Sequence, residues 1–312
     1  MTLTQLSAFV LVARLGSVKA AANALNVSEP AVSQALAALR QHLHDQLIVR
    51  GPGGMTLTPG GGRLLNVAAQ MVALGAEAEA AVRAARGAPQ QLRLICTSTI
   101  AEFVGTPLAD AFTRRSGGTV EVSAGVATVE EMPVLVANRL ADAAIGPAVG
   151  RGADLPVDSE PIFRGQLVVV AAGHRRPSAQ PPWLVDPSGT EPGSDTGRLL
   201  RRLRVDDSRV RVFPNQTAAW AAAADGAGVA PGYLHLLTPQ IQRGELVVVD
   251  TKATPAEVCW HLTTPPADRR SPGANSLRHF LRTPDAMQVM RFPGAGVPPS
   301  RFRPPVYVTI WS

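Results

Sequence analysis

Cysteine is almost missing from this chain of 312 residues: Cys96 and Cys259 are the only two. Two cysteines build no disulfide framework, and neither stands in a CxxC pair, so structural zinc is not expected. Such usage suits a reducing compartment, and the expected location is the cytoplasm. Lysine is as scarce. Lys19 and Lys252 are the only ones, so the basic side of the charge balance is nearly all arginine. Aromatic residues make up 4%, so the cores must be built from Ala, Val and Leu. No run of about 18 uncharged apolar residues occurs, and no membrane partner is expected. The first residues, MTLTQLSAFVLVARLGSVKAAA, have no basic lead and no small-residue cleavage site. Their apolar residues recur at helical spacing, so they read as folded chain rather than as a signal peptide.

Catalytic signatures are missing too. There is no HExxH, GxSxG or Walker pattern. The six histidines are scattered, and His42 and His44, at i and i+2, would point apart on a helix. Gly51-Pro52-Gly53-Gly54 is glycine-rich but stands between strand-like runs rather than before a phosphate-binding helix. No enzyme, metal or cofactor is expected.

What is present fills about two domains. Hydrophobic residues make up 46% and charged residues 17%, an ordinary globular balance. The net charge of +6 suits a polyanionic partner if an element that reads DNA can be found. Composition divides the chain into residues 1–58, with short helical patterns and sharp breaks; 59–89, a long Ala/Leu/Val stretch; 90–283, where short strand-like runs alternate with helices; and 284–312, rich in Pro and Gly.

The first part carries the strongest pattern. Thr4 can cap a helix with Leu6, Phe9, Val10 and Ala13 on one face, and Gly16 ends it. Ser17 caps a second helix, Val18 to Leu25, and Asn26-Val27 makes a tight connection. Ser28 caps a third, with Pro30 tolerated in its first turn and Val32, Leu36 and Leu39 on its buried face. Ser33, Gln34 and Arg40 point elsewhere. Gln46 to Arg50 and Met55 to Thr58 read as two strands about a tight turn, after which Thr58 caps a helix that Pro59 opens. This is a winged helix-turn-helix.

These residues resemble the DNA-binding domain of the LysR-type transcriptional regulators. The matching stretches are Leu3 to Phe9, Gly16 to Ala22, Leu25 to Ser33, Leu36, Leu39, and Leu57 to Gly61. The resemblance implies a linker helix after the wing and then a two-lobed α/β effector domain, and it covers residues 1 to about 283. Lys19 and Arg50 would then meet phosphates, and Glu29, Pro30, Ser33 and Gln34 would face bases of double-stranded promoter DNA. Ser28 and Arg40 complete the expected DNA-binding set. Three departures stand out: Glu29 replaces an uncharged residue, the segment from Leu39 to Leu47 is more basic than usual, and Val49 replaces a Phe before the wing arginine.

The stretch 59–86 has a broad apolar face that includes Leu64, Val67, Met71, Leu74 and Val82. It either packs on its own domain or pairs with a second copy; the resemblance implies pairing, as a homodimer or homotetramer. From Gln90 the strand–helix–strand–helix–strand series implies a parallel sheet, with ligand positions at the carboxyl ends of strands. Thr97, Ser98, Thr99, Thr128 and Pro231 occupy such ends, and Ser194 and Thr217 stand where helices open. Each can serve as a cap or turn, or as part of an effector site; no dense arginine cluster accompanies them. The expected effector is a small, partly apolar carboxylate. A periplasmic solute-binding protein would not need residues 1–58, and a DNA-bending protein would not need the two lobes. The tail from 284 reads as an extension without fixed structure or as an altered chain end.

Overall fold

A computed structural model describes residues 1–51, 54–149, 155–175 and 177–293. The wing tip at Pro52-Gly53 and the tail from 294 onward, with its Arg301, Arg303 and Val306 to Trp311, lie outside the described residues.

The N-terminal unit contains α1 (Leu3–Leu15), α2 (Val18–Leu25), α3 (Glu29–Leu43), β1 (Ile48–Gly51), β2 (Gly54–Leu57) and α4 (Pro59–Ala85). Local chemistry sets nearly every boundary. Thr2, not Thr4, caps α1: its hydroxyl accepts from the Gln5 N–H while the Gln5 side chain accepts from the Thr2 N–H, a reciprocal box that needs the earlier residue. Gly16 closes α1 at φ 66°. Ser17, Ser28 and Thr58 each accept a backbone N–H three residues on. The first wing strand starts at Ile48 rather than Gln46, because Leu47 turns through φ 58° and its N–H is held by Asp45 Oδ1 at 2.7 Å. The Thr58 hydroxyl donates to the same oxygen at 2.8 Å. Gly61 fits this corner because a Cβ there would lie 2.0 Å from the Leu47 carbonyl oxygen.

One expectation was too narrow. α1 buries Leu6 through Val12 without a break, not one face. A helix apolar all round needs partners all round. Its neighbours are α2, α3 and α4, together with the helix Glu131–Ala137 of the effector region, within one continuous apolar cluster.

The remaining chain forms two lobes. Lobe I holds β3 (Gln90–Cys96), α5 (Ser98–Ile100), a π-helical segment Ala101–Gly105, α6 (Thr106–Arg115), β4 (Val120–Val126), α7 (Glu131–Ala137) and β5 (Ala143–Gly146). β6 (Asp158–Ala172) crosses into lobe II, which holds β7 (Trp183–Val185), the 3-10 turn Pro187–Thr190, α8 (Asp195–Arg202), β8 (Val210–Val212), α9 (Gln216–Ala224), β9 (Ala230–Tyr233), α10 (Leu234–Gln242) and β10 (Leu246–Val249). β11 (Ala256–Thr264) returns to lobe I, followed by α11 (Pro272–Phe280) and α12 (Pro284–Arg291). The main sheet runs β10-β6-β11-β5-β3-β4, with β9 also on β6. β3 is parallel to β4 and β5, while β11 is antiparallel to β5 and β6. The β6–β11 ladder carries an irregularity beside Trp260 and His261, opposite Ile162.

The tail does not begin at 284. Thr283 caps α12, Pro284 opens it, and Ala286 and Met290 are buried against the lobe I core beside α6. A cap, a first-turn proline and an apolar i, i+4 pair make an ordinary last helix.

Candidate functional site

Two surfaces carry the expected chemistry. The first is α3. Val32, Leu36 and Leu39 face the core, as their spacing requires. The opposite side presents Glu29, Pro30, Ser33, Gln34, Ala37 and Gln41, all exposed. Ser28 caps the helix, Lys19 stands exposed on α2, and Arg50 is exposed on β1. Arg40 also has a structural duty. Its Nε donates to the Gln46 carbonyl at 2.8 Å and a terminal nitrogen to the Ile48 carbonyl at 3.0 Å, so the guanidinium ties α3 to the wing.

The second is the junction of the lobes. A cavity of only about 10 Å³, room for one water, lies between Thr97 and Thr99 of lobe I and Ser188, Ser194, Asp195, Gln216 and Tyr233 of lobe II. Three carboxylates fasten the lobes across it. Glu102, on the π-helical segment, is 3% exposed. It accepts from the Gln216 and Thr217 N–H groups at 3.0 Å each and from the Thr217 hydroxyl, filling the N-terminus of α9. Glu191 accepts from the Val129 N–H at 3.3 Å, and Glu130 from the Gly193 N–H at 3.1 Å. Burial drives the Glu102 carboxyl above its ordinary range, against the bonds from Thr217 and Gln216. Burial likewise drives Glu191 up to about 8; the Val129 N–H opposes this, and the charges of Glu130, Asp186 and Glu131 add to it. Asp195 is held by Arg198 and by the Tyr233 hydroxyl, which donates at 2.8 Å.

Residues 3–62 match the family described as bacterial regulatory helix-turn-helix protein, lysR family, and residues 85–284 match the LysR substrate binding domain. An uncharacterised HTH-type transcriptional regulator of Mycobacterium tuberculosis is 32% identical across 100% of both chains. The chain belongs to the LysR family. CfxR of Cupriavidus necator is 29% identical over 90% of this chain and 91% of its own. In structure, full-length LysG of Corynebacterium glutamicum with bound effector Arg covers 96% of this chain and 100% of its own, at a TM-score of 0.51 and 18% identity. CbnR covers 90% and 98%, at 0.52 and 20%. The fold is that of these regulators.

As a LysR-family member, the chain is a DNA-binding transcriptional regulator with an effector-binding domain, not an enzyme. No helix among the described residues is long and apolar enough to cross a membrane. The expected effector residues of this LysR-family chain divide. Thr97, Thr99 and Ser194 line the cavity. The Ser194 hydroxyl, however, caps α8 through the Gly197 N–H at 2.8 Å. Ser98, Thr128, Thr217 and Pro231 do not line it. Thr128 exchanges bonds with Glu131 as a turn cap, Thr217 is bound to Glu102, and the Pro231 carbonyl receives Gln216 and Trp220.

Sequence reasoning missed Glu102, Asp186, Glu191 and Tyr233. Glu102 left one signal, a lone carboxylate inside the apolar run Ile100-Ala101-Glu102-Phe103-Val104. The α9 N-terminus, a natural seat for a carboxylate, is already occupied by Glu102.

Proposed function

We propose that residues 1–58 bind double-stranded promoter DNA through the outer face of α3 and the wing, that 59–89 pair two copies, and that the cleft between the lobes takes a small-molecule effector in the cytoplasm. The observation that carries the DNA reading is the division of α3: one face wholly packed, the other a bare polar stripe around Gln34. A helix of this kind, backed by a helical scaffold and followed by a wing, fits the major groove. Gln34 can give to and accept from one adenine edge, which is worth about 1–3 kcal/mol of discrimination. Arg50, on β1, reaches phosphate or the minor groove. The pairing reading has support in α4. Leu65, Ala68 and Val72 are buried in the chain's own core, while Val67, Leu74 and Val82 stand more than half exposed.

Fluorescence anisotropy at several salt concentrations tests this. Gln34→Ala should flatten the preference for an operator over scrambled DNA. Arg50→Ala should weaken both alike and lower the salt slope by about one unit. Equal weakening of both DNAs by Gln34→Ala would mean that another face of α3 meets the bases.

A further inference from the structure

A larger space lies away from the lobe junction. Between α4 and lobe I runs a groove of about 780 Å³, within the usual range for small-molecule sites. One wall is α4, with Leu3 and Ser7 of α1 beside it; the other holds Arg93 of β3 and Arg139, Leu140 and Asp142, which follow α7. Ala73, Ala76, Ala80 and Ala84 line the α4 wall. They stand three or four residues apart, so they form one strip about 16 Å long by helical rise. Ala76 is two residues, about 200° around the helix, from Leu74, and Ala80 is as far from Val82. The strip thus faces away from the bare stripe that a second copy would cover.

The charges in the groove are already matched. Arg93 Nε and a terminal nitrogen donate to Asp142 at 3.0 and 3.1 Å. Arg83 meets Glu79 at 3.9 Å, and Arg139 meets Glu77 at 3.1 Å. What is left over is donor capacity. The Arg139 side chain is 13% exposed, Glu77 is its one ion partner among the described residues, and its Nε finds no acceptor there. A guanidinium has several N–H donors to satisfy, and leaving them unmet in a buried place is costly. Ser7 is 1% exposed, and its hydroxyl has no partner among the described residues. It stands one turn after Leu3, which packs so closely on Gly75 of α4 that a Cβ there would lie 2.5 Å from its Cδ1. Both side chains are therefore on the face of α1 that meets the groove.

We propose that this groove binds a linear aliphatic carboxylate, with its head group on Arg139 and Ser7 and its chain along the alanine strip. A carboxylate supplies the acceptors that these donors lack and matches the fork of a guanidinium. The methyl groups of the strip and the alkyl chain leave water together. The site is independent of the junction cleft, and its occupant touches the DNA-facing unit and lobe I at once.

Calorimetry and thermal melting of the full chain with octanoate test this, with octyltrimethylammonium and acetate as controls. Octanoate should bind once per chain and raise the melting temperature by about 2–4 °C at saturation. Octyltrimethylammonium keeps the chain and reverses the charge; acetate keeps the charge and lacks the chain. Neither should bind at the same concentration. Absence of octanoate binding, or equal binding of either control, overturns the proposal. Arg139→Gln should weaken octanoate about tenfold or more, and Arg139→Lys, which keeps the charge, should weaken it less. Octanoate bound as tightly by Arg139→Gln as by the parent overturns the pairing. Ala80 is exposed, so Ala80→Phe fills the strip without entering the core, and it should abolish binding. Octanoate that still binds Ala80→Phe lies elsewhere, in the junction cleft or on the surface, and overturns the proposal even if the Arg139 variants fail to fold.

Discussion

Glu191 ties the closed cleft to pH. Free in an unfolded chain its carboxyl titrates near 4.5; in the fold, burial first, then neighbouring charges, move it to about 8. Between those values the folded chain holds a proton that the unfolded chain lacks. Its contribution to stability is complete below about 4.5 and is lost as pH rises through about 8. Glu102 is displaced in the same direction. The melting temperature should therefore fall as pH is raised across that window, and Glu191→Gln should flatten the fall. A parent chain whose melting temperature rises over the same window would show that the carboxyl is ionised in the fold. None of this was legible in the sequence. Glu102 meets Gln216 across 114 positions, and a lone Glu in an apolar run names no partner by itself.

Elements were more legible, because caps and periods are local. The bounds of α2, β7 and β10 follow from their own residues. So does α4 within one residue: Thr58 and Pro59 open it, and the alanine-rich pattern carries it to Ala85. β6 was not legible as one strand. Pro161 and Gly165 interrupt its pattern, and only pairing with β11 and β10 makes fifteen residues continuous. α12 hid in a Pro/Gly-rich tail because its burial depends on α6, far back in the chain. Arg40 shows a second duty that the sequence did not reveal: a basic residue on the third helix invites a DNA role, and in the fold it also braces the wing. Loss of charged hydrogen bonds to part-buried carbonyls costs about 1.5–3 kcal/mol each at most. Arg40→Ala should thus lower the urea midpoint by an amount equivalent to about 1–3 kcal/mol. It should also weaken specific and scrambled DNA together. Arg50→Ala, on an exposed position, should leave the midpoint in place. An unchanged midpoint in Arg40→Ala would return that side chain to the DNA contacts.

At the scale of the molecule, two facts constrain how the halves communicate. α1 shares a core with α7, and Glu77 of α4 pairs with Arg139 of lobe I at 3.1 Å. The DNA-facing unit is thus seated on the lobe that carries half of the cleft. Along α4 the stripe of Val67, Leu74 and Val82 is left bare, and a second copy is what would cover it. Leu74→Glu should turn a dimer or tetramer into a monomer by light scattering at micromolar concentration. Its operator affinity should fall because the two half-sites are then bound separately. A parent chain that scatters as a monomer would remove the pairing reading altogether.

The two strands that cross between the lobes have a mechanical consequence. β6 and β11 are bonded to each other along most of their length, so the lobes are joined by a ribbon rather than by two loose threads. A ribbon bends elastically. Its softest point is where Ile162 has no opposite number beside Trp260 and His261, since an extra residue breaks the ladder and lets the strand curve. Any parting of the lobes would therefore work against a leaf spring fixed at both ends.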